Sequence, residues 1–186
     1  MMFLPKKTMV LFDLEYADPK ECEANGWPIE IFEIGACKVD HLLNEIEWFQ
    51  SFIRPTRLEF LTPSCTILTG IKKNNLEFAP DFDTVGRQFR DFCGFSPLMS
   101  WSISDFVRLH YSYGEWPFAY PFFDALSFAA GLMANSDYII KSYSLQSMCE
   151  SFGVSKPNHS AIGDVKCMKE LLKKIMNPDF PDSETY

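Results

Sequence analysis

Residues 8–16, TMVLFDLEY, begin with an apolar run that reaches Phe12 before any charge appears. A continuous run of that length fits a strand buried on both faces. Residues 29–40, IEIFEIGACKVD, alternate enough for a second strand. Residues 45–55, EIEWFQSFIRP, give a third that Pro55 stops. ECEANGWP, residues 21–28, has the composition of a loop. Three successive strands on short links predict an antiparallel meander.

The period then changes. In LTPSCTILTGI, residues 61–71, Thr62 is placed to cap a short helix with Pro63 in its first turn. Val85, Phe89 and Phe92 recur at helical spacing within residues 81–94, and Gly94 ends that helix. PLMSW, residues 97–101, is a short apolar strand. Residues 104–114, SDFVRLHYSYG, follow as a helix with Ser104 as its expected cap. Further helices are expected over 124–134 and over 142–153, where Leu145, Met148 and Phe152 share a face and Gly153 terminates. The last, residues 160–176, turns Val165, Met168, Leu171, Leu172 and Ile175 inward and gathers its lysines late, matching the helix dipole. One more short strand is expected near Tyr138–Ile140. Three strands, then helix, strand and helices, make an α/β chain, or an α+β chain with a mixed sheet flanked by helices. No composition shift divides it, so 1–186 reads as one domain, with an acidic tail at 177–186 expected to fray.

With 47% hydrophobic and 23% charged residues, the chain has an ordinary globular balance. A formal charge of −8 argues against tight, salt-dependent binding to long duplexes. Short nucleic-acid substrates stay open, because bound cations neutralise a carboxylate-lined site. The six cysteines show no C-x-x-C pair and lie mostly in apolar segments. They are expected to be reduced, buried thiols of a cytoplasmic protein rather than zinc ligands. MMFLPKKTMV lacks the apolar core of a signal peptide, and no run reaches the length of a membrane span.

The chemistry begins where the first strand ends. Side chains two apart on a strand share a face, so Asp13 and Glu15 lie together with Leu14 opposite. Like charges held together are costly unless a cation sits between them, and a divalent ion supplies that. A strand ending in a solvated acidic loop is the bland alternative. Asp105, in SWSISDFVRL, fits a helix-start acid favoured by the dipole. Asp164 follows His159 by five residues and falls among Ala161, Ile162, Val165 and Met168. An acid beside that apolar stripe is expensive unless paired or metal-bound. Glu33, on the second strand, falls close to the end of the first and is a supporting candidate rather than a ligand. His41 and His110 have no acidic companions and read as surface or structural.

Taken together, FDLEY resembles the first motif of the DEDDh (DnaQ-like) 3′→5′ exonucleases. SWSISDFVRL resembles the second, W-G-x-x-D-x-x-x-L, and HSAIGDV the third, H-x-A-x-x-D-[AV]. PIEIFEIGA, FQSFIRPT and LTGI resemble stretches of the ERI-like branch, which trims RNA 3′ ends. The resemblance runs from about Met9 to Leu172. It departs at Ser102, where glycine is usual, at Ser104, where an aromatic often stands, and in the unusually aromatic segment 110–131.

The resemblance implies an RNase H-like fold centred on the first strand and two divalent cations, Mg2+ or Mn2+, about 4 Å apart. Hard oxygen ligands from four carboxylates suit such ions better than zinc. By the same resemblance Asp13 bridges both ions, Glu15 and Asp164 serve one, and Asp105 serves the other through water. His159 is the general base, a side chain whose ordinary titration lies near neutrality. Leu14, Tyr16, Leu68, Thr69, Gly70, Ile71 and Phe106 are the candidates for stacking and gripping the terminal nucleotides. Gly70 would let backbone approach the ribose, and stacking tolerates any base. Leu68 and Ile71 equally fit a core role, and the Phe-rich segment 116–128 fits a core or partner surface. The expected partner is a single-stranded 3′ end, RNA in preference to DNA. A DNA proofreading or repair exonuclease of the same fold, or a non-catalytic nucleic-acid-binding domain, are the alternatives.

Overall fold

A computed structural model of the chain describes residues 8–115, 117–118, 122–133 and 142–177. The strand expected near Tyr138–Ile140 and the acidic tail from residue 178 lie outside them. Among the described residues five strands form one mixed sheet in the order β3-β2-β1-β4-β5. They are β1 (Met9–Tyr16), β2 (Ile31–Val39), β3 (Glu45–Phe52), β4 (Leu98–Ser100) and β5 (Phe122–Asp124). The first three pair antiparallel, as the meander requires, while β4 joins β1 and β5 joins β4 in parallel. This is the RNase H-like arrangement. β5 was not expected from the sequence: three residues leave no period to recognise.

The helices are α1 (Pro19–Asn25), α2 (Pro63–Thr69), α3 (Lys73–Leu76), α4 (Phe82–Cys93), α5 (Ile103–Tyr113), α6 (Ala125–Met133), α7 (Leu145–Ser151) and α8 (Ala161–Ile175). α1 corrects the loop expected at 21–28. Asp18 caps it by accepting the Lys20 N–H at 2.8 Å, Pro19 opens it, and Gly26 closes it at φ +64°. It buries only Cys22, so no apolar stripe announces it. α5 begins earlier than expected. Ser102, not Ser104, is the N-cap, its side chain accepting the Ser104 N–H.

β1 is dry on both faces, with Val10, Leu11 and Phe12 fully buried. Alternate residues serve two cores. Met9 and Leu11 pack with Cys37 and Val39 against Val165, Met168, Leu171 and Leu172 of α8. Val10, Phe12 and Leu14 pack with Ile34 and Ala36 against Val85 and Phe89 of α4 and Leu109 of α5. Burial of a side chain such as Phe12 stabilises by about 1.5–3 kcal/mol. α8 and α5 therefore cover opposite faces of one strand, and both begin near its end. A third cluster, with Ala17, Cys22, Phe32, Cys65, Ile71 and Leu76, fixes α1, α2 and α3 beside that end. All six cysteines are free and buried. Among the described residues no helix is long and apolar enough to cross a membrane.

Candidate active site

The register of β1 on β2 sets Asp13 opposite Gly35 and Glu15 opposite Glu33, just before an irregularity at Glu15 and Tyr16. Gly35 is where α8 meets the sheet. A Cβ there would lie 2.5 Å from both Ala161 C and Ile162 N, so only glycine lets the helix start this close. Glu33, 1% exposed, completes the joint. Its Oε2 accepts the Ala161 N–H at 3.3 Å, and its Oε1 accepts Gln50 Nε2 at 2.6 Å. The supporting role expected of Glu33 is thus a fixed tie between β2 and the first turn of α8.

That first turn carries Asp164, capped by Ser160, whose Oγ accepts the Gly163 N–H at 3.2 Å. Asp164 Oδ1 also accepts the backbone N–H groups of Asn158 at 3.1 Å and His159 at 3.2 Å. The carboxylate so clasps the loop that bears the histidine, and His159 itself is held at φ +54°, a left-handed conformation unusual for a side-chain-bearing residue. From the other face of the sheet, α5 delivers Asp105 in its first turn. The turn before it is braced by Ser100 Oγ, which donates to the Ser102 carbonyl at 2.7 Å.

All five side chains, Asp13, Glu15, Asp105, His159 and Asp164, line one cleft of about 900 Å³. Asp13, Glu15 and Asp164 each place an oxygen within 4.8 Å of the others. Asp105 lies outside that triplet but borders the same cleft. Burial holds the Asp13 carboxyl well above the usual range, and Asp105, Glu15, Asp164 and Glu33 add to it by repulsion. Burial and then Asp164, Glu33 and Asp105 push Glu15 up to about 8. Burial raises Asp105 to about 7, although the polar groups of the Ser100–Ser102 turn and its own backbone N–H pull the other way. Asp164 is raised by burial, with His159 and the two loop N–H groups pulling the other way. Four acids that resist ionising together are a site short of positive charge. Closely spaced carboxylate oxygens, with no lysine or arginine among the described lining residues, suit hard divalent cations.

The substrate candidates divide. Leu14, Tyr16, Leu68 and Thr69 line the cleft, whereas Gly70, Ile71 and Phe106 do not. Gly70 closes α2 at φ +72°, and Ile71, 3% exposed, packs into the third core cluster. Phe106 packs against Phe122 and stacks on His110 along α5. Ile67, 85% exposed and lining the cleft beside Leu68, was missed. Adjacent apolar residues in so short a helix cannot both turn inward, which was the available signal. Trp101, whose Nε1 donates to the Tyr143 carbonyl at 3.1 Å, also lines the cleft.

The RNase_T family, described as exonuclease, matches residues 10–172. The solved structures similar to this chain share its fold at low identity. A 3′-exonuclease described in 3′-end specific recognition of a histone mRNA stem-loop is 19% identical, with TM-score 0.73. That match covers 91% of this chain and 63% of the other, so the chain spans less than two thirds of that protein. The nuclease domain of 3′hExo, a DEDDh family member bound to rAMP, is 18% identical with TM-score 0.72, over 92% of each chain. E. coli exonuclease I in complex with a dT13 oligonucleotide is 16% identical with TM-score 0.71, over 90% of this chain and 40% of that one. No curated protein sequence matches the chain.

Proposed function

The chain belongs to the RNase_T exonuclease family, of the DEDDh type, and from that premise we propose that it removes nucleotides from single-stranded 3′ ends, RNA in preference to DNA. The observation that carries the proposal is the meeting of Asp13, Glu15, Asp105, Asp164 and His159 in one cleft. The RNA preference rests on the ERI-like stretches of the sequence. The likeness to a 3′-exonuclease described with an mRNA stem-loop agrees with it. Six unpaired, buried thiols agree with a reducing compartment such as the cytoplasm.

The donor set fits two divalent ions, Mg2+ or Mn2+. Asp13, Glu15 and Asp164 would hold one and Asp13 with Asp105 the other. When bound, the ions supply the positive charge that the scissile phosphate and the crowded carboxylates both need. The protein's own groups do the rest. Asp164 keeps the histidine loop against the acids through its two backbone hydrogen bonds. His159 takes a proton from the attacking water on a ring nitrogen. Ile67 and Leu68 offer exposed apolar surface on which the terminal base stacks, with Tyr16 and Thr69 beside them. Hydrolysis adds the water oxygen to phosphorus and breaks the bond to the 3′ oxygen of the preceding nucleotide, which leaves as a hydroxyl.

The test is a pair of 5′-labelled oligonucleotides of one sequence, RNA and DNA, incubated with Mg2+ or Mn2+ and with chelator. A ladder that shortens from the 3′ end, faster on RNA and stopped by chelator, is expected. Faster DNA loss would favour a repair or proofreading enzyme. Unchanged binding with chelator and no cleavage would leave a non-catalytic binding domain.

A further inference from the structure

Among the described residues the cleft is lined by Asp13, Glu15, Asp18, Asp105 and Asp164 and by neither lysine nor arginine. Cations at its centre answer for the scissile phosphate, but the next phosphates of a polyanion still meet acidic walls. A fixed positive group at the rim removes that repulsion. Arg108 lies beside one of the lining residues, Tyr16. It lies three residues beyond Asp105 on α5, with its guanidinium carbon 5.7 Å from the centre of the Tyr16 ring, and Tyr16 lines the cleft. Its Nε is buried and bonded to nothing. None of the ion pairs among the described residues includes it. A dry guanidinium donor without an acceptor carries a standing desolvation cost, and native proteins leave few such groups unexplained. An oxyanion arriving along the Tyr16 side would remove that cost.

The direction of the strand follows from the chemistry, and here the inference rests on the function proposed above. In an in-line displacement the attacking water and the departing 3′ oxygen occupy opposite sides of phosphorus. His159, delivered with α8, marks the water's side. The departing oxygen, with the remaining strand attached, then faces the side of the sheet covered by α5, where Arg108 lies. We infer that Arg108 grips the first phosphodiester on the 5′ side of the scissile bond, with its planar fork matched to two phosphate oxygens. It is a binding residue that makes the enzyme favour substrates longer than a dinucleotide.

The test compares wild type with Arg108→Gln on three substrates. These are a dinucleotide, a tetranucleotide, and the tetranucleotide with a neutral methylphosphonate at the linkage next to the scissile one. Binding is read by fluorescence anisotropy in Ca2+, and kcat/KM in Mg2+. Wild type is expected to bind the charged tetranucleotide about tenfold more tightly than the neutralised one, the size of one charge-assisted contact. Arg108→Gln is expected to bind the two alike, and to lose about tenfold more in kcat/KM on the tetranucleotide than on the dinucleotide. Arg108→Lys should recover part of both. Retained discrimination in Arg108→Gln, or equal losses on both lengths, would overturn the assignment and leave Arg108 a prop beneath Tyr16. If wild type cleaves nothing but its binding preference vanishes in Arg108→Gln, the exonuclease reading fails and the phosphate contact stands.

Discussion

Stripped of divalent ions, this protein is expected to lose stability as the pH rises from 5 to 8. The cause is the acid cluster. Glu15 has its carboxyl raised from 4.5 to about 8, and Asp105 from 3.8 to about 7, both chiefly by burial. Only well below both unfolded values, at about pH 3 and under, are these groups protonated in folded and unfolded chains alike, so that the shift costs nothing. Between the unfolded and folded values the unfolded chain releases protons that the folded one retains, so rising pH favours unfolding. Glu15 alone gives roughly 3–4 kcal/mol of lost stability between pH 5 and 8. For a chain of this size that is a fall in Tm of roughly 10 °C. Asp13 and Asp105 act in the same direction. Asp40, Asp81 and Glu150 are shifted downward by hydrogen bonds, so their favourable contribution is complete before pH 5 and does not mask the trend. Thermal melts followed by circular dichroism, with chelator and with Mn2+, read both arms. The ion should raise Tm little at pH 5, where protons compete for the oxygens, and strongly at pH 8. Asp13→Asn, with one charge removed, should melt higher than wild type in chelator at pH 8 and respond weakly to Mn2+. A chelated Tm that stays level or climbs from pH 5 to 8, or an ion shift equal at both, would refute the electrostatic account of the site.

Three further outcomes follow from the geometry. Asp13→Ala should abolish 3′-end degradation with an unchanged far-ultraviolet dichroism spectrum, and wild-type rates in that variant would end the metal-site proposal. His159→Ala should slow turnover by about two orders of magnitude or more, while Mn2+ still raises Tm at pH 8. Gly35→Ala should cost about 1–3 kcal/mol in urea unfolding and depress activity, because its Cβ would displace the start of α8; full activity would show that the helix can shift freely.

The first three strands could be read along the chain because their pairing is local, and the period of two survives in each. The place of β4 beside β1 could not, since a parallel neighbour is fixed by packing at a distance. α1 carried its signs in Asp18, Pro19 and Gly26, but with only Cys22 buried there was no apolar stripe to join them. The acids were legible because motifs that are weak singly occur in order, and the structure brings all four and His159 to one cleft. The candidate nucleotide-binding residues were less so. Thr69 and Ile71 are neighbours in sequence, yet the turn at Gly70 sends one to the cleft and the other to the core. Sequence proximity cannot say which side of a helix terminus a residue takes. Glu33 was visible as an acid near the strand end, whereas its bond to the Ala161 N–H depends on a register spanning most of the chain.

The groups lining the cleft come from β1 near one end of the described chain, from α2 and α5 in its middle, and from the first turn of α8 and the loop before it near the other end. Among the described residues the last strand ends at Asp124, so a product halted after that residue would hold every described strand and lack His159 and Asp164. Under the proposed mechanism such a fragment would resemble the intact protein in strand signature while being inert. Fusion tags and split-protein designs must likewise respect the span from residue 9 to residue 175, since no contiguous piece of it contains the whole machinery.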